Sequence, residues 1–159
     1  MTPDHSFRHG GPYGLSPSHC VRAPTRHNLE IRVMQVVDHN MQPTEEWRAG
    51  VVTRMHVSAV TGAAALCIFE QWCAPGTGAP THTHPVEEVL TILDGQAVIW
   101  LGDEQVSASV GQSVIVPAGI RHGFRNAATA TLHVQGTLAS PTFEAFVEGQ
   151  EEPTRRWLA

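Results

Sequence analysis

The chain has no lysine, since all ten of its basic residues are arginines. Chemistry that depends on a lysine amine is therefore excluded, including Schiff-base catalysis, attachment of pyridoxal phosphate and a phosphate-binding P-loop. Only 16% of the 159 residues are charged, whereas about 25% is usual in globular proteins. This scarcity favours a surface that is partly hidden in an oligomer interface, and we expect a homodimer. The net charge of −5 at pH 7 argues against a nucleic-acid-binding protein, which needs a basic surface.

Long apolar runs are also missing, and the N-terminal residues lack the apolar stretch of a secretory signal. We therefore expect neither a membrane span nor a membrane partner. The cysteines, Cys20, Cys67 and Cys73, are odd in number and form no C-x-x-C pair, which favours free thiols and a cytoplasmic location. The first 50 residues contain no pair of amphipathic helices, so a helix-turn-helix regulator is not expected.

Three parts can be distinguished along the chain, and the length suits a single domain. Residues 1–28 are rich in Pro, Gly, Ser and His without periodicity, which predicts an irregular arm. Its histidines are irregularly spaced, which favours a plain arm over a metal site. Residues 29–147 are expected to form one all-β domain, and residues 148–159 are expected to form a short C-terminal tail.

The central part consists of short segments rich in Val, Ile, Leu and Thr, separated by turn residues about ten positions apart. This pattern predicts an antiparallel sandwich or barrel. The dipeptides Asp94–Gly95 and Gly102–Asp103 predict two hairpins. The predicted strands cover residues 31–37, 51–57, 65–72, 88–93, 97–101, 105–110, 113–117 and 132–138.

Side chains that commonly bind metals are concentrated in two stretches of the predicted barrel. His82 and His84 are two residues apart, so in a strand both imidazoles point to the same face and could meet one cation. Glu88 opens the next predicted strand and adds an oxygen ligand, and three such residues within seven positions favour a metal site. His122 begins a strand after a turn through Gly119, and taken alone it could equally be a core or surface histidine.

Ten positions in these two stretches resemble the two sequence motifs of the cupin family. The resemblance implies a single cupin-type jelly-roll β-barrel in which His82, His84, Glu88 and His122 bind one divalent transition metal. Fe, Mn, Ni, Cu and Zn are all compatible with three imidazoles and one carboxylate. The matching residues are Gly76, His82, His84, Glu88 and Gly95 in the first motif, and Gly111, Pro117, Gly119, His122 and Asn126 in the second.

The resemblance also implies a function at the metal. We expect an enzyme that acts on a small oxygen-rich molecule, with dioxygenase-type cleavage favoured over isomerase or lyase chemistry and Glu88 as the catalytic base. The alternative is a non-catalytic cupin that binds a metal and a small ligand. Phe124 shares a strand face with His122 and is expected to form an apolar wall. Further pocket residues, each of which could equally lie on the barrel exterior, are Arg54, His56, Arg121, His133 and Gln135.

Overall fold

The computed structural model of the protein describes residues 34–159. The predicted arm, Cys20 and the start of the predicted strand 31–37 lie outside these residues, and residues 34–37 form no strand. The described residues form twelve β-strands and two short 3₁₀ helices, His39–Met41 and Ala59–Thr61. The strands are β1 (Thr44–Arg48), β2 (Val51–Val57), β3 (Cys67–Cys73), β4 (Gly78–Thr83), β5 (Glu88–Asp94), β6 (Gln96–Leu101), β7 (Glu104–Ser109), β8 (Ser113–Val116), β9 (His122–Asn126), β10 (Leu132–Leu138), β11 (Phe143–Val147) and β12 (Thr154–Arg156). No helix among the described residues is long and apolar enough to cross a membrane.

The strands form two six-stranded sheets whose neighbouring strands are antiparallel. Sheet A has the order β1-β2-β3-β10-β5-β8, and sheet B has the order β12-β11-β4-β9-β6-β7. Many neighbours are far apart in sequence, so the chain passes repeatedly from one sheet to the other. This arrangement confirms the predicted all-β jelly-roll barrel.

Regular alternation of buried and half-buried residues fixes which face of each strand looks inward. In β3, β5 and β10 every second side chain is buried, as expected for sheets with one face against a core. Buried aliphatic residues of both sheets, such as Ile92 and Ile99, pack into one cluster, and Leu138 packs with Phe69 and Phe143 in a second. Burying each such side chain stabilises the fold by roughly 1.5–3 kcal/mol.

The two turn dipeptides behave differently. Gly102–Asp103 joins β6 to β7, which pair along their length, so this hairpin is confirmed. The hairpin predicted at Asp94–Gly95 is wrong, because β5 pairs with β8 and β10 while β6 pairs with β7 and β9. Gly95 does adopt a positive φ of 82°. The chain does bend at Gly95, as an Asp-Gly turn predicts. The bend, however, carries the chain from sheet A to sheet B instead of joining two paired strands.

Among the strands that lie outside the predicted ranges, β1 and β12 carry no strand pattern in the sequence. Their sequences, TEEWR and TRR, are polar and show no alternation of apolar residues. β12 lies within the predicted tail, and the indole of Trp157 follows it directly. The aromatic cluster formed there has ring centroids 4.8 to 5.8 Å apart and consists of Trp47, Phe69, Phe143 and Trp157.

Candidate metal centre

Four side chains with metal-binding groups meet inside the barrel at the ends of three strands. His82 lies on β4 and His84 just beyond it, while Glu88 and His122 are the first residues of β5 and β9. His82 is the register partner of His122 across the β4–β9 pair. All four residues are buried, with 8% exposure at most. One ligand atom from each lies within 4.8 Å of the others.

In each of the three imidazole rings, Nδ1 forms a hydrogen bond with a backbone carbonyl oxygen. Nδ1 of His82 lies 2.7 Å from the carbonyl oxygen of Pro80, and Nδ1 of His122 lies 2.8 Å from that of Ile120. Nδ1 of His84 likewise bonds to the carbonyl oxygen of Glu144. Because a carbonyl can only accept, each Nδ1 carries a proton, and Nε2 of each ring is the atom that faces inward.

The inward-facing atoms converge at short distances. Nε2 of His82 lies 3.1 Å from Nε2 of His84, and Nε2 of His122 lies 2.9 Å from Oε2 of Glu88. Lone pairs that face one another at these distances repel, and a shared proton or a shared cation between them removes the repulsion. Three imidazoles and one carboxylate are a donor set suited to divalent transition metals. The four residues therefore fit a metal ion and could hold one.

The electrostatics of the site favour the protonation states that bind a metal. Burial, assisted by the neighbouring rings of His122 and His84, lowers the pKa of His82 to about 4. Burial also lowers the pKa of His84. For Glu88, burial alone would raise the pKa, but the hydrogen bond to His122 and the nearby histidine charges outweigh it and lower the pKa. At neutral pH the rings of His82 and His84 are thus neutral and the Glu88 carboxylate is ionised.

A cavity opens beside the four residues. It contains about 820 Å³ of space, including its open mouth, and both His82 and Glu88 line it. Phe124 contributes to the wall, as expected, together with Phe69 and Leu90. One side of the metal-binding group is therefore open to a ligand.

Comparison with known proteins agrees with the fold. A family model described as Cupin domain matches residues 70–138, which include His82, His84, Glu88 and His122. The chain therefore contains a cupin domain. This cupin matches no curated protein sequence.

Several solved structures share the fold of this cupin. The polyketide cyclase RemF from Streptomyces resistomycificus has a TM-score of 0.61 and 19% identity, over 80% of this chain and 88% of the cyclase. An RmlC-like cupin from Shewanella frigidimarina NCIMB 400 has a TM-score of 0.56 and 20% identity, over 68% of this chain and 95% of that one. The oxalate decarboxylase of Lactobacillus farciminis, as a formate complex, has a TM-score of 0.63 and 15% identity, over 69% of this chain and 34% of the decarboxylase. At these identities the likeness is one of fold.

The five further pocket residues considered from the sequence lie away from the cavity of this cupin. On β3 the side chains of Phe69 and Gln71 line the cavity, so Glu70 between them points to the outer face of sheet A. Nε2 of His133 lies 2.8 Å from Glu70 and Nδ1 of His56 lies 3.7 Å from it, which places both histidines outside. The remaining three, which also do not line the cavity, are Arg54, Arg121 and Gln135.

Other polar residues, which the sequence did not reveal, line the cavity instead. Arg48 at the end of β1 and Arg156 at the end of β12 are both part of its wall, as is Gln71. The two arginines come from β1 and β12, which carry no strand pattern, so no periodic signal marked their side chains as inward-facing. The indole of Trp47, beside Arg48, also faces this space.

Proposed function

We propose that this cupin binds one divalent transition metal, Fe, Mn, Ni, Cu or Zn, through His82, His84, Glu88 and His122. The observation that carries the proposal is the set of Nδ1 hydrogen bonds to backbone carbonyls, which turns three Nε2 lone pairs toward the Glu88 carboxylate. None of the four ligands is a thiolate, which is unlike closed structural zinc sites. When bound, the metal would supply Lewis-acid polarisation of a ligand oxygen.

We further propose that the protein is an enzyme acting on a small oxygen-rich molecule, with dioxygenase-type cleavage favoured over isomerase or lyase chemistry. The support is the position of His82 and Glu88, which line a cavity rather than closing a sealed site. Two of the similar structures are a polyketide cyclase and an oxalate decarboxylase, both named for reactions of oxygen-rich compounds.

Glu88 is proposed as the catalytic base. Its carboxylate is buried, is held ionised by the surrounding histidines and borders the cavity. A proton taken from a ligand could be carried on its Oε2, where Nε2 of His122 lies 2.9 Å away. The same residue would then serve both to hold the metal and to move a proton.

Metal content tests the first step of this proposal. Protein purified without chelator should contain about one transition metal per chain by plasma mass spectrometry, and the His82→Ala/His122→Ala variant should contain almost none. The His133→Ala variant is the matched control, because it removes a histidine from the outer face of sheet A. Equal metal in wild type and the double variant, or no metal after reloading, would contradict the assignment.

Turnover tests the second step. Oxygen uptake should be measured on the metal-loaded protein with diketone and catechol-like compounds, and isomerase or lyase substrates should be screened without oxygen. Consumption of a compound by wild type, but not by Glu88→Gln loaded to the same metal content, supports an enzyme with Glu88 as its base. A compound that raises the melting temperature but is recovered unchanged would instead favour the non-catalytic ligand-binding alternative.

Homodimerisation and a cytoplasmic location remain proposals drawn from composition. Three apolar side chains on or beside β7 and β8 are 48 to 62% exposed, namely Val106, Val110 and Ile115. In a chain with few charges, such side chains are better accommodated in an interface. Light scattering that gives the mass of one chain would exclude the dimer.

A further inference from the structure

One guanidinium group in the wall of the cavity has no role in the function proposed above. Arg48 ends β1, and its side chain borders the same cavity as His82 and Glu88. Its Nε donates to the carbonyl oxygen of Gly78 at 2.5 Å, which anchors the plane of the guanidinium group. Among residues 34–159, no hydrogen bond engages Nη1 or Nη2 of Arg48.

The surroundings of Arg48 do not neutralise its charge. Among residues 34–159, Arg121, Arg155 and Arg156 each form an ion pair with a glutamate, whereas no ion pair involves Arg48. Burial lowers the pKa of Arg48, and the charge of Arg156 acts in the same direction. A half-buried guanidinium group without an acidic partner remains charged, so a bound anion would remove an electrostatic cost.

The cavity wall near the guanidinium group is rich in aromatic rings. Trp47 is the neighbour of Arg48 in sequence, and the rings of Phe69 and Phe143 pack against it and also border the cavity. The guanidinium carbon of Arg156 lies 4.5 Å from the centroid of the Trp47 ring, and Arg156 borders the cavity while paired with Glu45. An occupant would therefore meet aromatic rings beside the unpaired guanidinium group of Arg48.

We propose that Arg48 forms an anion subsite, and that the cavity takes a carboxylate carried on a flat aromatic or unsaturated body. This inference rests on the proposed function, because it names the substrate class for that cavity. The guanidinium fork matches a carboxylate with two parallel hydrogen bonds. The aromatic cluster accommodates the flat body, and His82 and Glu88 border the rest of the cavity.

Calorimetric titration with two probes of the same shape tests the subsite. Naphthoate carries a carboxylate, and naphthamide replaces it with a neutral amide. Metal-free wild type should bind naphthoate more tightly than naphthamide. The Arg48→Gln variant should lose at least about tenfold in naphthoate affinity, as expected for loss of a charge-assisted hydrogen bond, and should bind naphthamide as wild type does.

The matched control is Arg125→Gln, which removes the same charge from an exposed position on β9 and should change neither affinity. Arg48→Lys keeps the charge but not the fork, so it should retain part of the preference for naphthoate even if Arg48→Gln folds poorly in thermal melts. Unchanged naphthoate binding in Arg48→Gln would overturn the subsite. Equal loss of both probes, or no naphthoate binding to wild type at millimolar concentration, would overturn it as well.

The metal-free titration separates this inference from the function on which it rests. A protein that shows the Arg48-dependent preference but neither binds metal nor turns over any compound would keep the subsite and lose the proposed enzyme. A protein that binds metal and turns over a neutral compound, without any preference for naphthoate, would keep the enzyme and lose the subsite.

Discussion

Two clusters of histidine and glutamate lie on opposite faces of sheet A. The inner cluster consists of His82, His84, Glu88 and His122, and the outer cluster consists of His39, His56, Glu70 and His133. Each contains one glutamate on a strand of this sheet and three histidines. Their residue types are identical, but their geometry is not.

The two clusters differ in the hydrogen bonds that the imidazole nitrogens make. In the inner cluster every Nδ1 bonds to a carbonyl, so every Nε2 points to one place. In the outer cluster both ring nitrogens of the buried His56 lack a hydrogen-bond partner, and its ring stacks on that of His39 with centroids 3.8 Å apart. Among the described residues only the inner cluster brings at least three ligand atoms within 4.8 Å. Backbone anchoring of the rings, rather than composition, therefore distinguishes a metal-binding arrangement.

The largest expected effect comes from exchanging one glutamate on each face. Glu88→Gln should weaken metal affinity at least about 100-fold, because even residues that only orient a ligand contribute about 10–100-fold. Glu70→Gln should leave the affinity unchanged within about twofold. Competition with a chromogenic chelator measures both. Equal losses in the two variants would mean that the clusters are not functionally distinct.

Metal should also stabilise the fold through the inner cluster alone. At about 100 times its dissociation constant, the metal should add about 2.7 kcal/mol to the free energy of unfolding, since it binds only the folded chain. Differential scanning calorimetry should show a melting temperature several degrees higher. The His133→Gln variant should show the same increase, and Glu88→Gln should show little at the same metal concentration. An increase that depends on His133 would assign the metal to the outer cluster.

Acidification should reveal the outer cluster. Burial lowers the pKa of His56, opposed by Glu70 and assisted by His39, Arg54 and His133. Because the unfolded chain then takes up the proton first, the stability that neutral His56 contributes is present above about pH 6.5 and is lost as the pH falls below it.

The pKa values of His82 and His84 are lowered too, so these residues also make the fold less stable as the pH falls. The contribution of His56 is therefore measured by comparing wild type with His56→Gln, both free of metal. Between about pH 7.5 and about pH 5.5, the melting temperature of wild type should fall further than that of His56→Gln. Parallel curves for the two proteins would show that His56 does not contribute.

The smallest effect concerns the thiols on the inner side of the barrel. Burial, with the charge of Glu88, raises the pKa of Cys67 to about 12, and burial raises the pKa of Cys73 to about 11. Since the thiolate is the reactive form, iodoacetamide should modify neither residue in the native protein but both in denaturant. Peptide mass spectrometry reads out both states. Rapid native modification would show that the barrel interior is open to water.

The inner cluster could be predicted because its signals are local. His82 and His84 share a face through strand alternation, and the motif spacing adds Glu88 and His122. Alternation also places Arg54 and His56 on one face of β2, but it does not say which face. The buried side chains of Val51 and Thr53 decide that, by turning Arg54 outward.

The cavity wall could not be predicted, because it depends on contacts between distant segments. Arg48 is anchored by Gly78, 30 residues away, and Arg156 is paired with Glu45 across 111 residues. The wrong hairpin at Asp94–Gly95 has the same cause, since a turn signal does not specify which sheet the next strand joins. The packing of Trp157 on Trp47 likewise joins segments that are distant in sequence.

Two parts of the cavity come from separate stretches of the chain. The proposed metal ligands all lie between positions 82 and 122, whereas the aromatic and cationic wall is built largely by β1, β11 and β12. Mutations in β1 and β12 can therefore alter which molecule fits without touching the proposed ligands, whereas β11 also anchors His84 through the carbonyl oxygen of Glu144. A scaffold divided in this way is evolvable, because selection or a protein engineer could vary specificity in the edge strands β1 and β12 while the proposed metal ligands stay constant.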